Sequence, residues 1–316
     1  MIGDENTRKE WSKILNDMGS VFALLILIAV LSILLPQFRS ATNAMLVLRQ
    51  ASITGFVAFG MTGVILTGGI DLSVGSSLAV TAIIGAMLLT AGVPELLMIP
   101  MVLACGLALG AVNGFTVTKL RLQPFVATLI GMSVFRGVAL ILSGGRAVSG
   151  LRGFPVLEAL GRGDFLGVPM PVWLFIAVFG LFLFLLQYTA LGRRIYAVGS
   201  NTTAAQLAGV NITKTKMFVY AISGLMASVS GLILVSRLGS AQPIMGIGLE
   251  LDAIAAVALG GTSLSGGRGK LYGTMAGVLI ITILSNGMNI MGVSSYYQTV
   301  ITGIVILLAV LADRNR

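Results

Sequence analysis

Apolar runs long enough to cross a lipid bilayer recur along the whole chain, and they limit its fold more than any other feature. A helix needs about 20 apolar residues to cross a hydrocarbon core about 30 Å thick. We therefore expect an all-α polytopic membrane protein with about ten transmembrane helices, some of them broken or short. The ten segments are 19–35, 43–67, 76–91, 96–118, 124–142, 171–186, 217–236, 251–264, 271–291 and 296–312. The segment 251–264 is the shortest, and its full crossing stays open.

The composition and the positions of the charges agree with this class. Hydrophobic residues make up 56% of the chain and charged residues only 10%, against roughly 25% charged residues in soluble domains. The net charge of +9 is spread over short loops. This distribution of charge is explained by membrane topology, and no nucleic-acid partner is expected.

The positions of Lys and Arg predict the orientation, because cytoplasmic loops are enriched in these residues. With a cytoplasmic N-terminus, 13 of the 20 basic residues lie inside, namely Arg8, Lys9, Lys13, Lys119, Arg121, Arg193, Arg194, Lys214, Lys216, Arg268, Lys270, Arg314 and Arg316. Six lie outside, namely Arg39, Arg49, Arg146, Arg152, Arg162 and Arg237. Both termini are therefore expected in the cytoplasm. The chain divides into a cytoplasmic segment 1–18, a single transmembrane domain 19–312 that begins with an uncleaved signal anchor, and a cytoplasmic tail 313–316.

Two absences narrow the chemistry. The chain has no histidine, which excludes His-based acid–base catalysis and His-ligated metals. Its single cysteine, Cys105, lies in an apolar run, so no intrachain disulfide or multi-thiolate metal site can form. We expect no catalytic residue, no metal site and no cofactor bound by this chain.

A basic polar segment, 187–216, separates two apolar blocks and contains no acidic residue. One interpretation is an ordinary cytoplasmic loop held inside by its charge. The other is a docking platform for a partner that supplies energy. The chain has no phosphate-binding loop of its own, because the nearest string, GGRGKL at 266–271, lacks the required glycine and hydroxyl residue. ATP hydrolysis would therefore have to lie on a separate subunit.

Glycine patterns mark two features of the membrane segments. Gly106, Gly110 and Gly114 place small residues on one helix face, which lets another helix approach closely. In addition, GGIDLSVG at 68–75 recurs as GGTSLSGG at 260–267. The echo is either coincidence or a sign of corresponding broken helices in two repeats. The predicted broken-helix glycines are Gly68, Gly69, Gly75, Gly260, Gly261 and Gly267.

Polar side chains within the spans are candidates for a translocation path or for gating, because burying them in a membrane is costly. Alternatives stay open for each kind of residue. Asp71, like Glu250 and Asp252, can cap a helix N-terminus, asparagines can join neighbouring helices, and Arg136 can pair or snorkel. The path or gating candidates are Asp71, Ser73, Asn113, Asn286, Asn289 and Gln298.

Three long strings resemble the permease subunits of bacterial carbohydrate ABC importers, and most closely the ribose-type members. They are GMTGVILTGGIDLSVGSSLA at 60–79, RLGSAQPIMGIGLELDAIAAVALGGTSLSGGRG at 237–269 and SNGMNIMGVSSYYQTVITGIVILLAVLAD at 285–313. The resemblance implies a type II-like importer permease in the bacterial inner membrane that moves a monosaccharide, with ribose first. It also implies a second copy of the chain, a cytoplasmic ATPase that binds ATP and Mg, and an external sugar-binding protein, besides membrane lipid. The rival class is an ion-coupled secondary sugar transporter.

The family's cytoplasmic coupling motif begins Glu-Ala-Ala and has a glycine a few residues later. The matching residues here are Thr202, Thr203, Ala204, Ala205 and Gly209, with Lys214 and Lys216 following. Threonine therefore replaces the motif's glutamate. The resemblance implies that this stretch is the ATPase-coupling loop, without the acidic contact of the motif.

Overall fold

The computed structural model describes residues 19–314, and most of them are helical. The helices are α1 (Gly19–Leu34), α2 (Ala41–Leu66), α3 (Val74–Thr90), α4 (Glu95–Thr118), α5 (Pro124–Ser143), α6 (Pro155–Arg162), α7 (Met170–Tyr188), α8 (Ala190–Ser200), α9 (Thr202–Leu207), α10 (Ile212–Leu238), α11 (Leu249–Leu259), α12 (Leu271–Ile290) and α13 (Ser295–Arg314). A 3₁₀ turn spans Pro36–Arg39. Two-residue strands form β1 (Val148–Ser149), β2 (Asp164–Phe165), β3 (Val168–Pro169) and β4 (Ser240–Ala241).

Six of the described helices are long and apolar enough to cross a bilayer, namely α2, α4, α5, α7, α10 and α12. Three more apolar stretches are shorter, namely α1, α3 and the part Ser295–Leu308 of α13. The expected N-terminal segment 1–18 lies outside the described residues. The last helix continues through Arg314, so the first half of the predicted tail is helical.

The centre of the bundle is formed by α10, which packs against α4, α2 and α3. The predicted small-residue face of α4 is confirmed as the reason for this close packing. A Cβ on Gly106 would overlap Ser228 of α10, and one on Gly110 would overlap the carbonyl group of Tyr220. Gly114 likewise faces Met217. These contacts bring two helix backbones together, as small residues do in membrane bundles.

Two helices begin inside the bundle. The segment 67–73 precedes α3, and the segment 242–248 precedes α11. The two meet near their helix starts, because a Cβ on Gly75 would overlap the carbonyl oxygen of Gly246. With only 11 residues, α11 is about 16 Å long, roughly half of a hydrocarbon core. In place of the span expected at 251–264, the structure therefore has a half-length helix.

The bundle has two distinct ends. At one end lie the C-terminus of α2, the turn before α12, and the helices α8 and α9. The other end carries α6, the 3₁₀ turn and both short antiparallel strand pairs, β1 with β4 and β2 with β3. Arg49 near the start of α2 forms an ion pair with Asp164 of β2, 3.3 Å apart. The polar segments of the chain therefore gather at opposite ends of the same helices.

Candidate functional site

A buried polar cluster surrounds Asp71 in the break between α2 and α3. The Asp71 side chain is 1% exposed, and its Oδ1 accepts hydrogen bonds from the amide of Ser73 (3.0 Å) and from the Ser73 hydroxyl (2.7 Å). Its Oδ2 accepts one from the hydroxyl of Ser223 in α10 (2.8 Å). Asn113 of α4 donates to the Ser73 hydroxyl oxygen at 2.6 Å. One carboxyl group thus joins a broken segment to two central helices.

The backbone of this break is also held by side chains. The Ile70 carbonyl accepts hydrogen bonds from the hydroxyl groups of Thr128 (3.1 Å) and Tyr220 (3.4 Å). The suggested helix-capping role of Asp71 needs correction, because the residue before α3 is Ser73 and the carboxyl group binds that residue instead of the helical amides. Asp71 fixes the shape of the break, since buried polar groups need partners.

The second break, 242–248, is held by Arg136 of α5. Its Nη1 donates to the carbonyl oxygens of Pro243 (2.6 Å) and Met245 (2.8 Å). Of the two roles left open for Arg136, pairing across elements is therefore the one that the structure shows. Glu250 lies in the first turn of α11, and its Oε1 accepts the amide of Gly248 at 3.3 Å. Acidic residues favour this helix end.

The predicted coupling loop forms two short helices joined by capping residues. Asn201 caps α9 by accepting the amide of Ala204 (2.9 Å), and Asn211 caps α10 by accepting the amide of Lys214 (2.9 Å). Gly209 lies in the turn between α9 and α10 with a φ of +80°, a conformation that suits glycine. Thr202, Thr203, Ala204 and Lys214 are exposed, Ala205 is buried, and Lys216 is intermediate. We call helices α8 and α9 together the platform.

The platform is attached to the end of α2 and to the glycine-rich turn before α12. A Cβ on Gly199 at the end of α8 would overlap the Leu66 carbonyl oxygen and the Gly267 amide. The Gly267 amide itself donates to that carbonyl at 3.0 Å. Nearby, the Tyr196 hydroxyl donates to the carbonyl of Gly269 at 2.9 Å. We call this contact of α8 with 66 and 267–269 the joint.

The remaining path candidates lie near the opposite end of the bundle. Asn286 of α12 exchanges two side-chain hydrogen bonds with Asn43 of α2, at 2.8 and 3.1 Å. Gln298 donates to Asn289 Oδ1 at 2.8 Å and to the Val293 carbonyl at 2.8 Å. The six candidates therefore form two groups: Asp71, Ser73 and Asn113 in the buried cluster, and Asn286, Asn289 and Gln298 at the far end of α12.

Sequence reasoning missed several residues of these sites. Ser223 and Tyr196 lie far along the chain from their partners, and nothing in the sequence connects them. Gly199 lies in the predicted loop but belongs to no motif. Leu207 had a usable signal, because it is an apolar residue in a polar segment, and its side chain on α9 is 86% exposed.

Bilayer-length helices, two helices that begin inside the bundle, and a polar platform at one end describe a multi-pass membrane transport subunit. Residues 43–310 match the family of the branched-chain amino acid transport system permease component. The ribose import permease proteins of Haemophilus influenzae, Bacillus subtilis and Escherichia coli K12 are 45%, 47% and 48% identical to the chain. These matches cover 98–99% of this chain and 96–98% of each relative. No solved structure matches the chain.

The chain belongs to this family of permease components and lies in the bacterial inner membrane as a multi-pass protein. The family resemblance noted in the sequence is thereby confirmed.

Proposed function

We propose that the chain is the membrane-spanning subunit of an ATP-driven importer for a monosaccharide, with ribose as the substrate. The observation that carries this proposal is the near-complete alignment with ribose import permeases at 45–48% identity. The platform adds a physical reason, because it offers an exposed surface to a partner and is joined to the helix bundle by backbone contacts.

In this proposal about ten segments cross the membrane, with both termini and the platform in the cytoplasm. Six helices have the length and the apolar character for this, and the excess of Lys and Arg on the platform side supports the orientation. The chain works as a pair of copies surrounded by lipid. A cytoplasmic ATPase subunit, which binds ATP and Mg, supplies energy, and an external binding protein delivers the sugar.

The joint is the route by which the ATPase acts on the bundle. ATP changes the conformation of this chain only if the partner binds its two states with different affinities. Movement of α8 shifts the Leu66 carbonyl at the end of α2, and this residue directly precedes the break that holds Asp71. The buried cluster then passes the movement to α4 and α10 through Asn113 and Ser223. This route joins the platform to the centre of the bundle through direct contacts.

Leu207 is the anchor for the ATPase in this proposal, since it is the most exposed large apolar side chain of the platform. Buried apolar anchors carry much of the energy of an interface. We expect Leu207→Ala to weaken ATPase binding by at least about tenfold. Leu96→Ala removes a similarly exposed leucine at the start of α4 and should leave binding unchanged. Equal binding by both variants in a pull-down of the ATPase would remove Leu207 from the interface.

The function is tested by reconstituting the chain in liposomes with its ATPase and a ribose-binding protein. Labelled ribose should accumulate only when ATP is present on the side of the platform. The chain without the ATPase should accumulate no ribose under a proton or sodium gradient. Gradient-driven uptake by the chain alone would establish an ion-coupled transporter instead.

A further inference from the structure

A polar cleft lies at the end of the bundle opposite the platform. Its cavity of about 100 Å³ is lined by Leu46, Val47, Gln50, Arg237, Thr282, Ser285, Asn286 and Asn289. These residues come from the first ten residues of α2, the last turn of α10 and the second half of α12. One water needs only about 10–15 Å³, so the cleft has room for several waters or for part of a small polar ligand.

Three side chains of the cleft are free to bind a ligand. Gln50, Arg237 and Ser285 make no side-chain hydrogen bond to the groups that the structure describes. Arg49 shows the contrast, because it lies next to Gln50 in sequence but has an ion-pair partner in Asp164. The guanidinium of Arg237 is only partly exposed and carries a charge into a cleft whose lining contains no acid. Its hydrogen-bonding capacity is therefore available to a ligand.

The polarity of these groups disfavours contact with lipid. Gln50 lies nine residues into α2, about 13 Å from the start of that helix. A free guanidinium, amide and hydroxyl group facing hydrocarbon would be costly, so such side chains face protein or water. The cleft therefore opens towards water.

The chemistry of the cleft fits vicinal hydroxyl groups. The guanidinium offers a planar fork of N–H donors, which can reach two neighbouring oxygen atoms. Gln50 and Ser285 supply both donors and acceptors, as hydroxyl groups require. The reciprocal pair of Asn43 and Asn286 fixes one wall. We propose that this cleft is a subsite on the permease for ribose, occupied after the sugar leaves its binding protein; the proposal rests on the function proposed above.

Chemical labelling tests whether the cleft is wet and whether sugar occupies it. In a Cys105→Ser background, Ser285→Cys places a thiol in the cleft. Val134→Cys is the control and places a thiol on α5, where the valine side chain is 54% exposed. A membrane-impermeant methanethiosulfonate should label the thiol at 285 at least about tenfold faster, because the reactive thiolate forms only in water. Saturating ribose should slow this labelling, and inorganic phosphate should not. Labelling as slow as that at 134, or protection by phosphate but not ribose, would overturn the proposal.

Transport measurements test the role of Arg237 in recognition. In the assembled importer, Arg237→Met should lower ribose uptake by about tenfold through loss of charge-assisted hydrogen bonds, whereas ATPase stimulation by loaded binding protein persists. The preference for ribose over 2-deoxyribose should fall as well, which a merely structural role would not cause. Arg39→Met removes an exposed arginine at the same end of the bundle and should change neither quantity.

The outcomes separate this proposal from the proposed function. Ribose uptake by the wild-type importer, together with unchanged uptake and selectivity in Arg237→Met, would overturn the subsite and leave the importer in place. Failure of the wild type to take up ribose would overturn the function itself. If Arg237→Met does not reach the membrane, Gln50→Leu tests the subsite in its place. The Gln50 side chain is exposed, so this change costs little packing. Unchanged selectivity in that variant would also count against the subsite.

Discussion

The segments 68–75 and 260–267 share five of eight residues, yet they have different roles in the molecule. The first is mostly buried and centres on Asp71, whose carboxyl group accepts hydrogen bonds from Ser73, Asn113 and Ser223. The second is a partly exposed turn between α11 and α12, with Ser263 in the place of the aspartate. They also touch, because a Cβ on Gly266 would lie only 2.8 Å from the Gly68 amide nitrogen. The glycines that the two segments share allow their backbones to pack closely.

The two strings thus have different environments, and their interpretation as corresponding broken helices stays a prediction. The break before α3 meets the segment 242–248 before α11, because a Cβ on Gly75 would overlap the carbonyl oxygen of Gly246. These two segments share no sequence pattern. Similar strings therefore mark places where backbones approach closely, and the break itself depends on which side chains hold its carbonyl groups. In the first break these are Thr128 and Tyr220, and in the second Arg136.

The largest effect is expected from Asp71→Ala in the buried segment. The change leaves the amide and hydroxyl of Ser73 and the hydroxyl of Ser223 without their acceptor. Each unsatisfied buried group costs about 1–3 kcal/mol. We expect a clear fall in the melting temperature of the purified protein and loss of ATP-driven uptake. Wild-type stability and uptake in this variant would show that the two segments do not differ as described.

The joint between the segments should be the next most sensitive place. Gly199→Ala places a methyl group against the Leu66 carbonyl and the Gly267 amide, so α8 has to move away. Mutations along a coupling route change coupling by about 0.5–2 kcal/mol, and we expect binding-protein-stimulated ATPase activity to fall accordingly while the ATPase stays bound. Gly180→Ala is the matched control, because nothing lies within 4 Å of a Cβ there. Equal activity of the two variants would contradict the coupling route.

The spans were predictable because apolar length alone decides which segments can cross a bilayer. The small-residue face of α4 was predictable because three glycines four residues apart lie on one helix face. The half-length of α11 was not, since the string before it contains Gly and Pro and fits an external loop equally well. Only the contacts of Gly246 with Gly75 and of Arg136 with the 243–245 carbonyls place that string inside the bundle.

The candidate site was predictable in part for a related reason. Asp71 stood out because a carboxyl group within apolar sequence needs an explanation. Its partner Ser223 did not, because a serine in a membrane helix also serves as a small packing residue, and 152 positions separate the two. The same limit applies to Arg237, whose place at the end of a span resembles an ordinary flanking arginine. Sequence identifies costly groups, whereas their partners depend on packing.

A smaller effect is expected from Tyr196→Phe on the platform side of the joint. The change removes the hydrogen bond to the Gly269 carbonyl, worth about 1 kcal/mol, and keeps the ring. Stimulated ATPase activity should fall less than in Gly199→Ala. Burial raises the pKa of the Tyr196 hydroxyl, an effect that nearby Lys270 opposes. The stability that the protonated hydroxyl contributes is therefore present below the unfolded pKa of about 10 and is lost as the pH rises beyond it. The difference in stability between the variant and the wild type should therefore be constant from about pH 6 to 9.

The smallest effect is expected in the second segment itself, from Thr262→Val. The Thr262 hydroxyl is buried without a hydrogen-bond partner among residues 19–314, and valine keeps the shape of the side chain. Removing an unpaired buried hydroxyl should leave the melting temperature unchanged or raise it. The free energy of unfolding should rise by at most about 1 kcal/mol. Uptake should match the wild type. A destabilised variant would show that the hydroxyl has a partner after all.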